Sequence, residues 1–266
     1  MANATGTSAM EAAMAAEPSL WIGSYAVVSV VGLFARYLDA VEEKKAGVLK
    51  LVNSNMFCAI FTGSITVQYI SVLLLQACHG SFDRFYDVLK GVETLSPLQE
   101  FQARINHSLM LGYMTQDLFG RLLWGNYKIA YILHHVACQV GIVACLYFGQ
   151  TAMFGCAVGL SEASTPLVAI VEISRAQAMK DMVIFSGLLL NLVFPLRVAL
   201  FSWITYVWTF EHVDSPLNSE EKWELTVPCL VSIWLLTLLN WHWWRELATT
   251  TFKVLWAVPA AKPKTT

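Results

Sequence analysis

Long apolar stretches alternate with short polar segments along the whole of this 266-residue chain. Each stretch is long enough to cross about 30 Å of hydrocarbon as an α-helix that rises about 1.5 Å per residue. The third and fifth stretches carry polar residues and are therefore weak by hydropathy. The predicted spans cover residues 20–38, 53–78, 104–124, 128–148, 152–173, 182–209 and 224–246. The pattern predicts an all-α integral membrane protein with about seven transmembrane helices.

The composition agrees with a protein that is solvated by lipid. Hydrophobic residues make up 56% of the chain and charged residues 14%, and the mean hydropathy is +0.54. Soluble domains are about 45–50% apolar and about 25% charged. The chain also has ten Trp, a residue that collects at bilayer interfaces. The net charge of −2 does not indicate a nucleic-acid partner.

The six cysteines form no C-x-x-C pair and fall mostly inside apolar stretches. This pattern is typical of buried thiols rather than of a disulfide framework or a zinc site. A single disulfide pairing is left open. We expect no metal and no cofactor.

Lysine and arginine in the loops predict the orientation. With the N-terminus outside, twelve of these residues fall on one side of the membrane and four on the other. Because the cytosolic side is enriched in positive charge, we expect a lumenal tail at 1–19 and a cytosolic tail at 251–266. Residues 1–19 contain no Lys or Arg, so they do not resemble a secretory signal peptide.

Two short motifs fit this orientation. Lys262 and Lys264 form a KxKxx pattern at the C-terminus, which coat machinery reads when it returns membrane proteins to the endoplasmic reticulum. A chance spacing of two lysines in a basic tail is the alternative. Asn3 begins a glycosylation sequon on the predicted lumenal side, and its occupancy is left open. The tail motif predicts an endoplasmic-reticulum membrane protein.

Five of the predicted spans carry polar or ionisable residues at membrane depth. A charged group at the centre of a membrane helix costs about 2.5–3.5 kcal/mol on insertion scales, so it needs a partner or a wet cavity. We expect these side chains to meet in one cavity that opens toward the cytosol. The candidate residues are Tyr113, Asp117, Tyr131, His134, His135, Glu162, Arg197 and Asn240.

Structural explanations of some of these residues stay open. Asp117 and Arg121 are four residues apart on one helix, so they could neutralise each other at the cytosolic edge. Glu162 and Arg197 could form an ion pair between two spans.

The histidine pair and two prolines add local constraints. Adjacent residues of a helix point about 100° apart, so only one of His134 and His135 can face a given centre. Pro166 and Pro195 each free a carbonyl one turn earlier, which membrane helices tolerate where they border protein or a polar cavity.

The order of these motifs resembles the TLC-domain family over residues 50–250, after the first helix at 20–38. The motifs are Tyr113…Asp117, His134-His135, Glu162-x-Ser164-Thr165-Pro166, Pro195-x-Arg197 and Leu239-Asn240. The family includes ceramide synthases, translocating-chain-associated membrane proteins, a ceroid-lipofuscinosis protein of the endoplasmic reticulum and smaller TLC-domain proteins. The resemblance implies a six-helix barrel of two inverted three-helix units, preceded by one extra helix.

In ceramide synthases the histidine pair is linked to acyl transfer from acyl-CoA to a sphingoid base. The resemblance therefore implies that His134 and His135 are a catalytic pair and that acyl-CoA is a substrate. Ceramide synthases also place a run of Asp in the next helix, whereas here Glu162 is the only acid before Glu172. In this respect the chain resembles the smaller TLC-domain proteins, whose roles include control of phospholipid composition and trafficking.

Two hypotheses follow from the sequence. The first is a lipid-handling protein of the endoplasmic reticulum that transfers an acyl group from a long-chain donor by means of its histidine pair. The second is a non-enzymatic membrane protein that binds lipid or cargo. A seven-helix retinal protein is disfavoured, because the last span has no lysine between Glu224 and Arg245. Expected partners are membrane lipids, acyl-CoA and coat machinery, and homo-oligomer formation is left open.

Overall fold

A computed structural model describes most of the chain, and the regular secondary structure of the described part is helical. That part comprises residues 17–46, 51–72, 78–93, 95–123, 128–148, 155, 158–159, 161–213, 215, 217 and 223–256. Its α-helices are α1 Glu17–Ala46, α2 Val52–Ile70, α3 Phe82–Leu89, α4 Pro97–Leu123, α5 Ile129–Phe148, α6 Thr165–Ala176, α7 Lys180–Phe210 and α8 Trp223–Trp256. The predictions for Asn3, Lys262 and Lys264 lie outside the described residues.

Every predicted span contains a helix, and α3 lies in a segment that was predicted to be outside the membrane. Among the residues described above, three helices are long and apolar enough to cross a membrane by length and composition, within Ser19–Lys45, Ile129–Leu146 and Lys180–Phe210. Leucines at 188, 192 and 196 form an exposed row along α7, as a lipid-facing surface requires. The chain is therefore an all-α membrane protein, and the count of seven crossings stays a prediction.

Six of the helices close a ring. Helix α2 packs on α6, α6 on α7, α7 on α8, α8 on α5, α5 on α4, and α4 contacts α2. Helix α1 lies outside this ring against α4 and α2. This order is that of a six-helix barrel with one extra helix, and the inverted relation of its two halves stays a prediction.

The start of α6 differs from the continuous span predicted at 152–173. Residues Ser161–Ser164 form a short 3-10 helix, and α6 begins at Thr165. Pro166 occupies the first turn of α6, where a residue without an N–H costs nothing because that donor has no helical partner. Glu162 therefore lies in a separate turn ahead of the helix instead of inside it.

Helix α1 approaches α4 closely at two glycines. A Cβ on Gly112 would lie 2.6 Å from the carbonyl oxygen of Tyr25, and one on Gly120 would lie 2.8 Å from Nε of Arg36. The hydroxyl of Ser29 also donates to the carbonyl of Gly112 at 3.3 Å. Small residues on α4 thus bring α1 into contact with the ring.

We expect Gly112→Ala to destabilise the protein by about 1–3 kcal/mol, because the added methyl group meets backbone that cannot move aside. Thermal unfolding of the purified protein in detergent measures the effect. Gly187 on α7 has nothing within 4 Å of an added Cβ, so Gly187→Ala is the matched control and should leave the melting temperature unchanged or raise it. Equal melting temperatures for the two variants would contradict the close approach of α1.

Candidate functional site

The carboxylate of Asp117 is the centre of the first polar network. Nε of Arg121 lies 2.7 Å from one carboxylate oxygen, and Nε2 of His135 lies 2.8 Å from the same oxygen. The guanidinium of Arg36, on α1, pairs with the other oxygen. The side chains of Asp117 and Arg36 are buried. A carboxylate that is removed from water is thus compensated by three basic groups from three helices.

Both ring nitrogens of His135 face oxygen acceptors. Nε2 faces Asp117, and Nδ1 lies 2.7 Å from the carbonyl oxygen of Tyr131. Because carbonyl and carboxylate oxygens only accept, both contacts are satisfied only when each nitrogen carries a proton. His135 therefore has no free ring nitrogen for a substrate unless one of these contacts breaks.

The ion pair of Glu162 and Arg197 is the centre of the second network, with 2.8 Å between Oε1 and Nη2. The hydroxyl of Thr165 donates to the other oxygen of Glu162 at 2.5 Å. Arg197 also donates from Nε to Oδ1 of Asn240 at 2.7 Å and from Nη1 to Ser164 at 2.9 Å. Each of these four contacts joins two different elements of the fold. The network therefore connects the turn before α6 to α7 and α8.

His134 lies beside His135 of the first network, but its ring forms no hydrogen bond with either of the two networks. Its ring is buried, with its centroid 5.4 Å from that of His135 and 5.1 Å from that of Trp243. In the part of the chain that the structure describes, the hydrogen-bond partner of this ring is the thiol of Cys138, 3.7 Å from Nε2 and 4.0 Å from Nδ1. Of the two histidines, His134 is thus the one whose ring nitrogens are not both held by oxygen acceptors.

A cavity of about 50 Å³ lies between α4, α5, α8 and the segment that leads into α6. Most of its lining is apolar, with Met114, Ile142 and Leu236 among the side chains that face it. Cys138 and Glu162 also line it. The space is suited to part of an alkyl chain, with a few polar groups in its wall.

The predicted site residues separate into two groups. Asp117, His135 and the carbonyl of Tyr131 belong to the first network, whereas Glu162, Arg197 and Asn240 form the second. This arrangement differs from the single shared cavity that was expected, because each charge is satisfied by a neighbouring side chain. Of the predicted residues, Glu162 lines the cavity described above.

Tyr113 and Tyr131 have local roles. The hydroxyl of Tyr113 lies 2.7 Å from the thiol of Cys58, and its ring stacks on Phe61. The ring of Tyr131 lies under the guanidinium of Arg121, 4.8 Å from its carbon. Tyr113 thus packs toward α2, apart from both networks.

Arg36 was missed as a site residue. In the sequence it was assigned to the cytosolic loop charge, yet α1 continues for ten residues beyond it. Two observations point to it in retrospect. The residues after Arg36 still favour a helix. Arg121, on the same helix as Asp117, contacts one oxygen of that carboxylate and leaves the other oxygen for a second partner.

Comparison with known proteins gives one match. A family model described as the TLC domain matches residues 42–249. No curated protein and no solved structure matches the chain. The matched region contains the second network, the first network except for Arg36, the histidine pair and the cavity. Arg36 and most of α1 lie outside it.

Proposed function

This chain belongs to the TLC-domain family, a membrane-protein family with lipid-related functions, and from that premise we propose that it transfers a long-chain acyl group in the endoplasmic-reticulum membrane. The acyl donor in this proposal is a long-chain acyl-CoA, and the acceptor is an amine or hydroxyl of a membrane lipid. His134 is the base that accepts the proton of the attacking group.

One observation carries the proposal. His134 is a buried imidazole that makes no strong hydrogen bond in the described part of the chain, and it lies next to a thiol that lines an apolar cavity. A neutral imidazole is the side chain best suited to accept and return a proton near pH 7. A histidine with a purely structural role would be expected to donate to a backbone carbonyl or a carboxylate, as His135 does.

The two networks position His134 in this proposal. The contacts of His135 with Asp117 and with the backbone fix the adjacent turn of α5. Arg197 holds the Glu162 carboxylate at the wall of the cavity. Because these charges are already compensated, they need little rearrangement when a substrate enters.

Location and orientation are also proposals. The excess of Lys and Arg in the predicted cytosolic loops and the Lys262–Lys264 motif support a cytosolic C-terminus and retention in the endoplasmic reticulum. In that orientation the Asp117 network lies near the cytosolic face, from which acyl-CoA would enter.

A non-enzymatic lipid-binding or trafficking role is the second candidate. The observation that favours it is the saturation of Asp117 and Glu162 by protein groups, which is also what a purely structural network requires. In this case the cavity would hold a lipid chain without chemistry at His134.

The lipid composition of cells separates these two candidates. In cells that lack the protein, wild-type chain should restore the lipid profile, whereas His134→Gln should leave the profile of the deletion even though the variant accumulates normally. Glutamine keeps a polar side chain of similar length but cannot serve as a base near pH 7. Full restoration by His134→Gln would rule out chemistry at this residue and favour the second candidate.

A further inference from the structure

We propose that the thiol of Cys138 is the nucleophile that carries the acyl group, as a thioester, between donor and acceptor. This inference rests on the proposed acyl transfer and names the atom that receives the chain. It differs from the expectation that one of the two imidazoles is acylated.

The position of Cys138 relative to the cavity is the first observation. Cys138 follows His134 by one helical turn, and its Sγ lies 3.7 Å from Nε2 of that histidine. The cavity is lined by Cys138, and His134 is absent from its lining. An acyl chain that occupies the cavity therefore meets the thiol, with the imidazole behind it.

The pairing of a thiol with a base is the second observation. A buried thiol is a poor nucleophile until an adjacent group removes its proton. His134 is in contact with Cys138 and has both nitrogens within 4.0 Å of the sulfur. Glu162 lies at the wall of the same cavity, where its carboxylate is held by Arg197.

The hydroxyl of Ser232 is the third observation. Ser232 on α8 is 4% exposed and lines the same cavity. Its hydroxyl makes no hydrogen bond to any residue that the structure describes, although a helical serine normally donates one turn back. A Cβ on Gly141, one turn from Cys138, would lie 3.7 Å from Cβ of Ser232. Ser232 is thus an available donor for the carbonyl oxygen of a bound acyl group.

The first step is a thioester exchange that needs no oxidant or reductant. His134 takes the proton of the Cys138 thiol, and the thiolate attacks the carbonyl carbon of a long-chain acyl-CoA. The bond between that carbon and the CoA sulfur breaks, and the departing CoA thiolate receives the proton from His134. The products are free CoA and acyl-Cys138.

The second step returns the enzyme to its starting state. A hydroxyl or amine of the acceptor lipid attacks the thioester and gives its proton to His134. The bond between the acyl carbon and Sγ breaks, and the sulfur takes that proton to become a thiol again.

Cys229 supplies a matched control. Its thiol lines the same apolar cavity, and it hydrogen-bonds the thiol of Cys145. Non-specific acylation by acyl-CoA inside the cavity would label Cys229 as readily as Cys138. Only the latter has the His134 imidazole at 3.7 Å.

The test is covalent labelling of the purified full-length chain in detergent with a palmitoyl-CoA analogue that carries a terminal alkyne. We expect a label that neutral hydroxylamine removes and that peptide mass spectrometry assigns to Cys138. Cys138→Ala and the nearly isosteric Cys138→Ser should lose this labile label, and Cys229→Ala should keep it. His134→Gln should slow labelling about a hundredfold, because a general base contributes on the order of 10² or more.

Three results would overturn the inference. If Cys138→Ser still forms acylated lipid at the wild-type rate while His134→Gln does not, acyl transfer stands and Cys138 is not the carrier. If no chain is labelled and no acylated lipid forms with wild-type protein, the proposed acyl transfer fails as well. A label that is equal on Cys229 and Cys138 would also contradict the proposal, because it would show reaction without the histidine.

Discussion

Replacing Arg197 by leucine is expected to lower the free energy of unfolding by about 3–5 kcal/mol, because the change leaves the Glu162 carboxylate buried without its counter-charge. The loss is large because Arg197 also donates to Asn240 and Ser164. Thermal unfolding of the detergent-solubilised protein measures it. The double variant Glu162→Gln/Arg197→Leu should recover part of the loss, since it removes the uncompensated charge.

A surface ion pair provides the control for this change. Arg175 and Glu172 are paired at 2.9 Å near the end of α6, with both side chains about half exposed. Exposed pairs contribute about 0–1 kcal/mol, so Arg175→Leu should change stability little. If Arg197→Leu were as mild as Arg175→Leu, the buried pair would not be a structural element of the ring.

Asp117→Asn is expected to cost about 3 kcal/mol of stability and to loosen α1 from the ring. The carboxylate compensates Arg36 and Arg121 and contacts His135, and a neutral amide cannot replace that charge. Thermal unfolding again measures the loss. The Glu100 pair with Arg104 is a matched control, because it has the same i,i+4 spacing on α4 but is partly exposed.

Glu100→Gln should therefore shift the unfolding temperature only slightly. The comparison separates the effect of burial from that of an ordinary helical salt bridge. A similar small shift in Asp117→Asn would mean that Arg36 and Arg121 find water or lipid partners, and that the network does not dock α1.

The helices could be predicted from the sequence because membrane helices are recognised by their length and apolar character. The i,i+4 pair of Asp117 and Arg121 could be identified from spacing alone. The pair of Glu162 and Arg197 could be inferred because neither charge is tolerable alone at membrane depth. Both pairs are present in the structure.

The role of Arg36 and the direction in which each histidine points depend on tertiary packing, which the sequence does not specify. Arg36 lies within one helical turn of the end of the first predicted span, 20–38, and charge counting assigns such a residue to the cytosolic side. Its pairing depends on how α1 docks on Gly120 of α4, which no local pattern specifies. The sequence likewise indicated that His134 and His135 point in different directions, but which of them contacts Asp117 depends on the rotation of α5 in the ring.

The cavity was also beyond the sequence. We expected the ionisable residues to surround a wet chamber, and the structure instead gives two compact ion networks beside a mainly apolar space. Cys138 becomes a candidate functional residue only because it lines this cavity. In the sequence it is one of six thiols in apolar stretches, and its spacing of four residues from His134 puts the two on one helix face. Its place on the cavity wall emerges from the packing of α5 against α8.

The most direct measurement of the central claim is the release of CoA by purified protein in phosphatidylcholine vesicles that contain a sphingoid base and a lysophospholipid as acceptors. We predict that wild-type protein releases CoA from a long-chain acyl-CoA and forms acylated lipid. His134→Gln, at unchanged thermal stability, should do so about a hundredfold more slowly. Equal rates for the two proteins, or no acylated lipid with wild-type protein, would contradict chemistry at His134.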